Sequence, residues 1–143
     1  MKSNIVKPKV AVFVFSVLAA GMNSCNVGDD IQLPFVPALY GSWNWVESVG
    51  GFAGRKITPE TEGHTLRYTF LLYGEFEEHH DGKPFAKSRY TVKRQVLGRD
   101  TVDVLTLDHS PSMLNILRFA GNDTLTLTEY CADCYNHTFV RVK

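Results

Sequence analysis

The sequence predicts an all-β fold, an eight-stranded antiparallel up-and-down meander that closes into a short or flattened barrel. From residue 41 onward, short segments that alternate apolar and polar residues are separated by turn residues. Asp81-Gly82 is a strong signal for a two-residue hairpin turn. Beyond the N-terminal apolar run, the sequence shows no convincing helical periodicity. Closure is expected because it removes the unpaired edges that an open meander would expose.

The predicted strands follow one another along the chain, and only the first connection is long. That connection runs from Gly50 to His64 and is rich in glycine and polar residues. The strand of residues 124–129 has the cleanest alternation, with threonines on one face and leucines on the other. The predicted strands cover residues 41–49, 65–72, 75–80, 85–97, 101–107, 113–119, 124–129 and 136–142. Bulky side chains expected to fill much of the interior are Trp43, Trp45, Tyr68, Phe70, Phe76, Tyr90 and Phe119.

The first twenty-five residues predict export. Lys2, Lys7 and Lys9 precede the apolar run from Val10 to Ala20, which is shorter than the roughly 20 residues that a membrane-spanning helix needs. Cys25 then lies where it resembles the lipidated cysteine of a bacterial lipoprotein signal, so residues 1–25 are interpreted as that signal.

The residues just before Cys25 leave alternatives open. Met22 and Ser24 fit the lipoprotein pattern, whereas Asn23 departs from it. Ordinary cleavage near Ala20 would instead release a soluble periplasmic or secreted protein, and an uncleaved anchor is a third interpretation. Residues 26–40 are expected to form an extended linker, since prolines fix the backbone and remove a donor. Its acidic pair, residues 29 and 30, fits either a surface-export signal or a solvated spacer.

Composition excludes some classes of partner. The chain has 15 basic and 15 acidic residues, and removal of the three basic residues of the predicted signal changes the formal net charge from zero to −3. Because no basic run or arginine-rich segment is present, nucleic acid is not an expected partner. Residues 41–143 suffice for one domain with one modest core.

The first predicted strand begins with Gly41-Ser42-Trp43, the Gly-x-Trp pattern that opens lipocalin barrels. Together with the long first connection, the later hairpins and the lipoprotein start, residues 41–143 resemble a small lipocalin-like lipoprotein of the Bacteroidetes type. The resemblance implies that Trp43 packs at the closed end of the barrel under Arg141. It also implies that the loop containing Gly50, Gly51, Phe52 and Gly54 is a candidate lid over a ligand; the competing interpretation is a crossover that packs Phe52 into the core.

The pair Cys131 and Cys134 has three interpretations. In an oxidising compartment, two residues between cysteines suit a tight turn with a structural disulfide, which is the prediction. A redox-active pair would normally lie at a helix N-terminus. A metal site would use the spacing Cys-x-x-Cys-x-x-His up to His137 and would need a fourth ligand.

The segment from Glu77 to Asp81 combines acidic residues with His79 and His80. It lies beside Gly82 in a predicted hairpin tip, so a solvated sheet edge is expected, with metal capture or acid–base catalysis as alternatives. No nucleophile motif, phosphate-binding loop, cofactor motif or metal set is predicted, and the protein is not expected to be an enzyme.

The expected function is that of an exported, lipid-anchored lipocalin-like protein that binds a small hydrophobic or amphipathic ligand. The alternative is a packed barrel that acts as an interaction or structural module of the cell envelope, through contacts with another envelope protein. Either protein would be attached to the outer membrane or cell surface through its N-terminal lipid.

Overall fold

In a computed structural model that describes residues 36–143, the chain forms one antiparallel sheet of nine strands that closes into a ring. The predicted signal, Cys25 and most of the predicted linker lie outside the described residues. The strands are β1 (Gly41–Gly50), β2 (Arg55–Ile57), β3 (Leu66–Phe70), β4 (Glu75–His80), β5 (Lys83–Leu97), β6 (Asp100–Leu107), β7 (Ser110–Ala120), β8 (Thr124–Glu129) and β9 (Tyr135–Arg141). A short α-helix, α1, spans Pro59–Glu62, and 3-10 helices span Pro37–Leu39 and Leu72–Gly74.

The prediction of an all-β antiparallel meander is confirmed, but the sheet has nine strands rather than eight. The additional strand is β2, which lies inside the long connection and pairs with β1 from Ser48↔Ile57 to Gly50↔Arg55. It forms because β3 covers only residues 41–44 of β1, so the later part of that edge needs another partner. Three residues are too few to show an alternating pattern, so β2 could not be predicted from the sequence.

Pairing of the first long strand with the last closes the ring. Each strand from β3 to β9 pairs with the next, and β1 pairs with both β3 and β9. The β1–β9 ladder runs from Trp43↔Arg141 at one end to Gly50↔Tyr135 at the other. We call the first of these the clamp end and the second the open end. Among the described residues, no helix is long and apolar enough to cross a membrane.

The core follows from the alternation of side chains along the strands. Trp43 and Leu125 are fully buried, and Phe70, Phe76 and Tyr90 are each 1% exposed. Tyr68 and Phe119 are partly buried and pack against this cluster. The bulky residues expected in the interior are therefore found there, most of them at the clamp end and in the middle of the barrel, while Trp45 and Tyr68 reach the open end.

Arg141 closes the clamp end. Its guanidinium carbon lies 4.2 Å from the centre of the Trp43 ring, so the predicted contact between these residues is confirmed. Arg141 also donates hydrogen bonds to the carbonyl oxygens of Tyr40 (2.7 Å), Ala38 (2.5 Å) and Asn122 (2.9 Å). The guanidinium thereby ties the segment before β1 to the turn before β8.

The prediction of an extended linker is wrong for its last residues, which belong to the clamp. Pro37–Leu39 is helical rather than extended, and Leu39 is fully buried in the core. Leu39 also accepts a 2.8 Å hydrogen bond from the Trp43 indole. The first position of the Gly-x-Trp pattern requires glycine, because Gly41 has a φ of +117° and an added Cβ would lie 3.1 Å from the Arg141 guanidinium.

Candidate functional site

Polar side chains enter the barrel interior at the open end. Strand β4 shows how, because Phe76 is buried in the core and Glu78, two residues later, is 9% exposed. His80 follows on the same face, and its Nε2 lies 2.7 Å from Glu78 Oε1. The expected solvated edge is therefore wrong for Glu78. It holds for Glu77, which lies on the opposite face and accepts a 2.6 Å hydrogen bond from Lys87 that lowers its pKa.

A second acid–histidine pair lies on β8 and β9. His137 Nε2 is 3.1 Å from Glu129 Oε1, and His137 Nδ1 is 2.6 Å from Ser48 Oγ. The Trp45 indole donates to Ser48 Oγ over 2.8 Å. A serine hydroxyl can both donate and accept, so the direction of the Ser48–His137 hydrogen bond depends on the imidazole tautomer. Trp45, Ser48, His137 and Glu129 thus form one continuous hydrogen-bonded chain.

Glu129 and His137 border a cavity of about 180 Å³ inside the barrel. Its wall combines apolar side chains with polar ones; the lining residues are Tyr68, Leu107, His109, Ser110, Met113, Asn115, Leu127, Glu129 and His137. Larger depressions occur elsewhere, and the largest is an open hollow beside the Arg94–Asp103 ion pair. The interior cavity is the better candidate site because titratable groups converge on a partly enclosed space.

Tyr68 lies between the two acidic residues of this end. Burial raises the pKa of its hydroxyl, and the negative charges of Glu78 and Glu129 raise it further. Its ring stacks on Phe139 at 4.8 Å. Among the residues the structure describes, the Tyr68 hydroxyl has no hydrogen-bond partner.

His109 is fixed by Ser88 from the neighbouring strand. The Ser88 hydroxyl donates to the Arg89 carbonyl (3.2 Å), and Ser88 Oγ lies 2.9 Å from His109 Nδ1. His109 Nδ1 is then assigned as the donor, and in the neutral ring Nε2 is an acceptor. That atom lies 3.9 Å from Glu78 Oε2, beyond hydrogen-bond distance.

Stacked rings line the rim of the open end. The rings of Trp45 and His64 are 6.1 Å apart, those of His64 and His80 are 5.4 Å apart, and those of His80 and Phe85 are 4.0 Å apart. Phe85 is 67% exposed. The rim therefore offers apolar ring faces to solvent above a polar interior.

The cysteine pair lies at the same end, in the turn between β8 and β9. Cys131 and Cys134 are at disulfide distance, with Cα atoms 5.5 Å apart. The backbone N–H of Tyr135 donates to Glu129 Oε2 over 3.0 Å, so this turn also positions a cavity carboxylate. Glu129 and the two sulfurs lie within 4.8 Å of one another, but a disulfide uses both sulfurs, and a metal would require their reduction to thiolates.

The predicted lid differs from both interpretations offered by the sequence. Phe52 is 96% exposed, so it neither covers the cavity nor packs into the core. Gly50 is the last residue of β1, where an added Cβ would overlap the backbone carbonyl of Cys134. The turn proper runs through Gly51 and Gly54, which both have positive φ. Gly50 is therefore held in the sheet, and residues 51–54 form the turn that leads to β2.

The chain Ser48–His137–Glu129 has the connectivity of a hydrolase triad, but the surroundings oppose nucleophilic catalysis. Ser48 is 3% exposed, accepts a hydrogen bond from Trp45, and lies outside the cavity lining among residues 36–143. A substrate in the cavity would meet Glu129 and His137 instead. The arrangement can hold a small molecule and hydrogen-bond it, and Ser48 positions the His137 ring.

Comparison with protein-family models, with curated proteins and with solved structures gave no match for this chain. Function is therefore inferred from the geometry of the barrel and its cavity.

Sequence reasoning found Trp43 and Arg141 but missed the polar interior. A signal was present, because Phe76 is a core-type residue and Glu78 and His80 follow it with a period of two. Likewise, Glu129 and His137 share the faces of Leu127 and Phe139. Asn115 gives the same signal through Leu117, two positions further along β7.

Proposed function

We propose that the protein is an exported, lipid-anchored, lipocalin-like barrel that binds one small amphipathic ligand at its open end. The observation on which this rests is the cavity of about 180 Å³, whose wall joins Glu129 and Asn115 to Leu107 and Leu127. Such a wall suits a ligand with a polar head and an apolar body. A purely hydrophobic ligand would leave the buried polar groups without partners, at a cost of about 1–3 kcal/mol for each.

The volume limits the ligand. At about 30 Å³ per molecule of liquid water, the cavity corresponds to roughly six waters. It is smaller than the roughly 300 Å³ at which drug-sized ligand sites begin. The apolar part of a longer ligand would extend past the exposed side chains of Phe85 and Met113.

The test is native mass spectrometry of the protein purified from its natural source, compared with the same sample after denaturation. A small molecule that leaves on denaturation supports the proposal and identifies the ligand by mass. A bare protein that also fails to bind any member of a panel of small amphipathic molecules contradicts it.

The proposed anchor is tested separately, because Cys25 lies outside the described residues. Mass spectrometry of the mature protein is expected to show an N-terminal cysteine bearing lipid, and Cys25→Ser is expected to release the protein from the membrane fraction. An unmodified terminus near residue 21 would favour the soluble periplasmic or secreted alternative.

A second candidate function is a packed module that contacts another envelope protein. It is favoured by exposed apolar residues at the clamp end, where Leu72 is 57% and Tyr73 is 70% exposed beside the half-exposed Leu71. If Leu72→Ser abolished co-purification of a partner while ligand binding persisted, the module would be a further role of the protein. Loss of a partner without any detectable ligand would make it the main role.

A further inference from the structure

The cavity wall carries several hydrogen-bond acceptors. Glu129 is a carboxylate, and its side chain is only 12% exposed. Asn115 is 7% exposed, and its amide nitrogen donates to the Met113 carbonyl (3.4 Å), which leaves Oδ1 as an acceptor. In the neutral ring of His109, Nε2 is an acceptor, since Nδ1 is assigned as the donor to Ser88. Glu129, Asn115 and His109 therefore offer acceptor atoms to a ligand, and the hydroxyls of Tyr68 and Ser110 can accept as well as donate.

The charge of the wall has one sign. No lysine or arginine lines the cavity among residues 36–143, whereas Glu129 lies in its wall and Glu78 lies close behind His109. A ligand that brings a positive charge would meet a carboxylate directly, in surroundings where partial burial strengthens the attraction.

Tyr68 adds an independent observation. Its hydroxyl forms no hydrogen bond with the described residues, and burial raises its pKa and keeps it protonated. A phenol can accept as well as donate a hydrogen bond. Its ring can also face a cation, an interaction of about 0.5–2 kcal/mol.

We propose that the cavity selects a primary ammonium group carried on a short alkyl or arylalkyl chain. An alkylammonium has three N–H donors and no acceptor, which matches the acceptors of Glu129, Asn115 and His109. The chain contacts Leu107 and Leu127 and leaves past Met113. This inference rests on the proposed ligand-binding function and adds the chemical class of the head group.

The test compares three probes of equal chain length by isothermal titration calorimetry. Full-length protein at pH 8 with a metal chelator is titrated with n-hexylammonium, n-hexanol and hexanoate. We expect hexylammonium to bind at least ten-fold more tightly than hexanol, and hexanoate to bind more weakly than either. Equal affinity for ammonium and alcohol, or tighter binding of hexanoate, overturns the ammonium inference and leaves ligand binding intact. Absence of binding by all three overturns both.

Variants locate the site. Glu129→Gln, which removes the charge and nearly keeps the shape, is expected to weaken hexylammonium binding at least ten-fold and to change hexanol binding little. Glu77→Gln is the matched control, because Glu77 lies on the outer face of β4 and pairs with Lys87. An equal effect of the two variants contradicts the site. If Glu129→Gln does not fold, the three-probe comparison on the unaltered protein still decides.

A divalent cation is the competing occupant, since carboxylate and imidazole acceptors also bind metals. Replacing the chelator by Zn²⁺ separates the two cases. If Zn²⁺ binds stoichiometrically and Glu129→Gln abolishes that binding while hexylammonium is bound only weakly, the acceptors belong to a metal and the inference fails. Hexylammonium binding that persists unchanged with Zn²⁺ present supports it.

Discussion

Replacing Arg141 by lysine tests whether the guanidinium clamp holds the barrel closed. Arg141 donates three hydrogen bonds to the carbonyl oxygens of Tyr40, Ala38 and Asn122, and lies over Trp43. A lysine ammonium keeps the charge but is a point donor on a flexible stem and cannot span carbonyls on both sides of the clamp. At about 1.5–3 kcal/mol for each charge-assisted bond, losing two would cost roughly 3–6 kcal/mol. Because water reaches part of this site, we expect about 3 kcal/mol.

The assay is urea unfolding followed by tryptophan fluorescence, since Trp43 lies within the clamp. With a slope of about 1–3 kcal/mol per molar urea, a loss of about 3 kcal/mol lowers the midpoint by roughly 1–3 M without changing the slope. Arg118→Lys is the control, because Arg118 is exposed on β7. If both variants shift the midpoint by the same small amount, Arg141 does not close the barrel and the reasoning is refuted.

Three further predictions concern packing and pH. Gly50→Ala is expected to lower the free energy of unfolding by about 1–3 kcal/mol in urea titrations, because the added Cβ overlaps backbone next to β9; an unchanged midpoint contradicts this. Of the six tyrosines, Tyr68 and Tyr90 should ionise last in an absorbance titration, because burial raises the pKa of Tyr90 to about 12 and that of Tyr68 further. The stability that these two tyrosines contribute is present below pH 10 and is lost as the pH rises through 10 towards 12. Simultaneous ionisation of all six tyrosines below pH 11 in the folded protein would contradict this prediction. Hydrogen bonds from Thr65, of which the one from its backbone N–H is the largest cause, lower the pKa of Asp81. The stability that the Asp81 carboxylate contributes is therefore present above pH 4 and is lost as the pH falls further. Asp81→Asn should lower the free energy of unfolding at pH 7 and have no effect on it at pH 2.

The parts of the fold predictable from sequence are those encoded by local pattern. Alternation located the long strands, and Asp81-Gly82 marked the hairpin, where both residues have positive φ as that turn requires. The contact of Trp43 with Arg141 followed from a resemblance, and the structure gives its physical reason. The two residues are paired directly across the β1–β9 ladder, so their side chains enter the same end of the barrel.

The remaining features depend on tertiary structure. Strand β2 exists because part of the β1 edge is left unpaired by β3, which no local pattern shows. Glu78 was assigned to solvent from its polar neighbours, although its position relative to Phe76 places it inside. The cavity depends on how the volumes of inward side chains from several strands add up. The bulky residues in the sequence predict that the middle of the barrel is filled, but they do not predict where a cavity remains.

The contrast between the two ends of the barrel argues for a binding role. The clamp end shows that this ring of strands can be filled by apolar side chains, since Trp43, Leu39 and Leu125 are fully buried there. Burying a polar or charged side chain costs free energy that its hydrogen bonds must offset. The Glu129 side chain is only 12% exposed, so the Glu129–His137 pair is an unfavourable choice for stability alone. A structural module would gain from leucines at these positions, whereas a protein that holds a polar head group needs the acceptors.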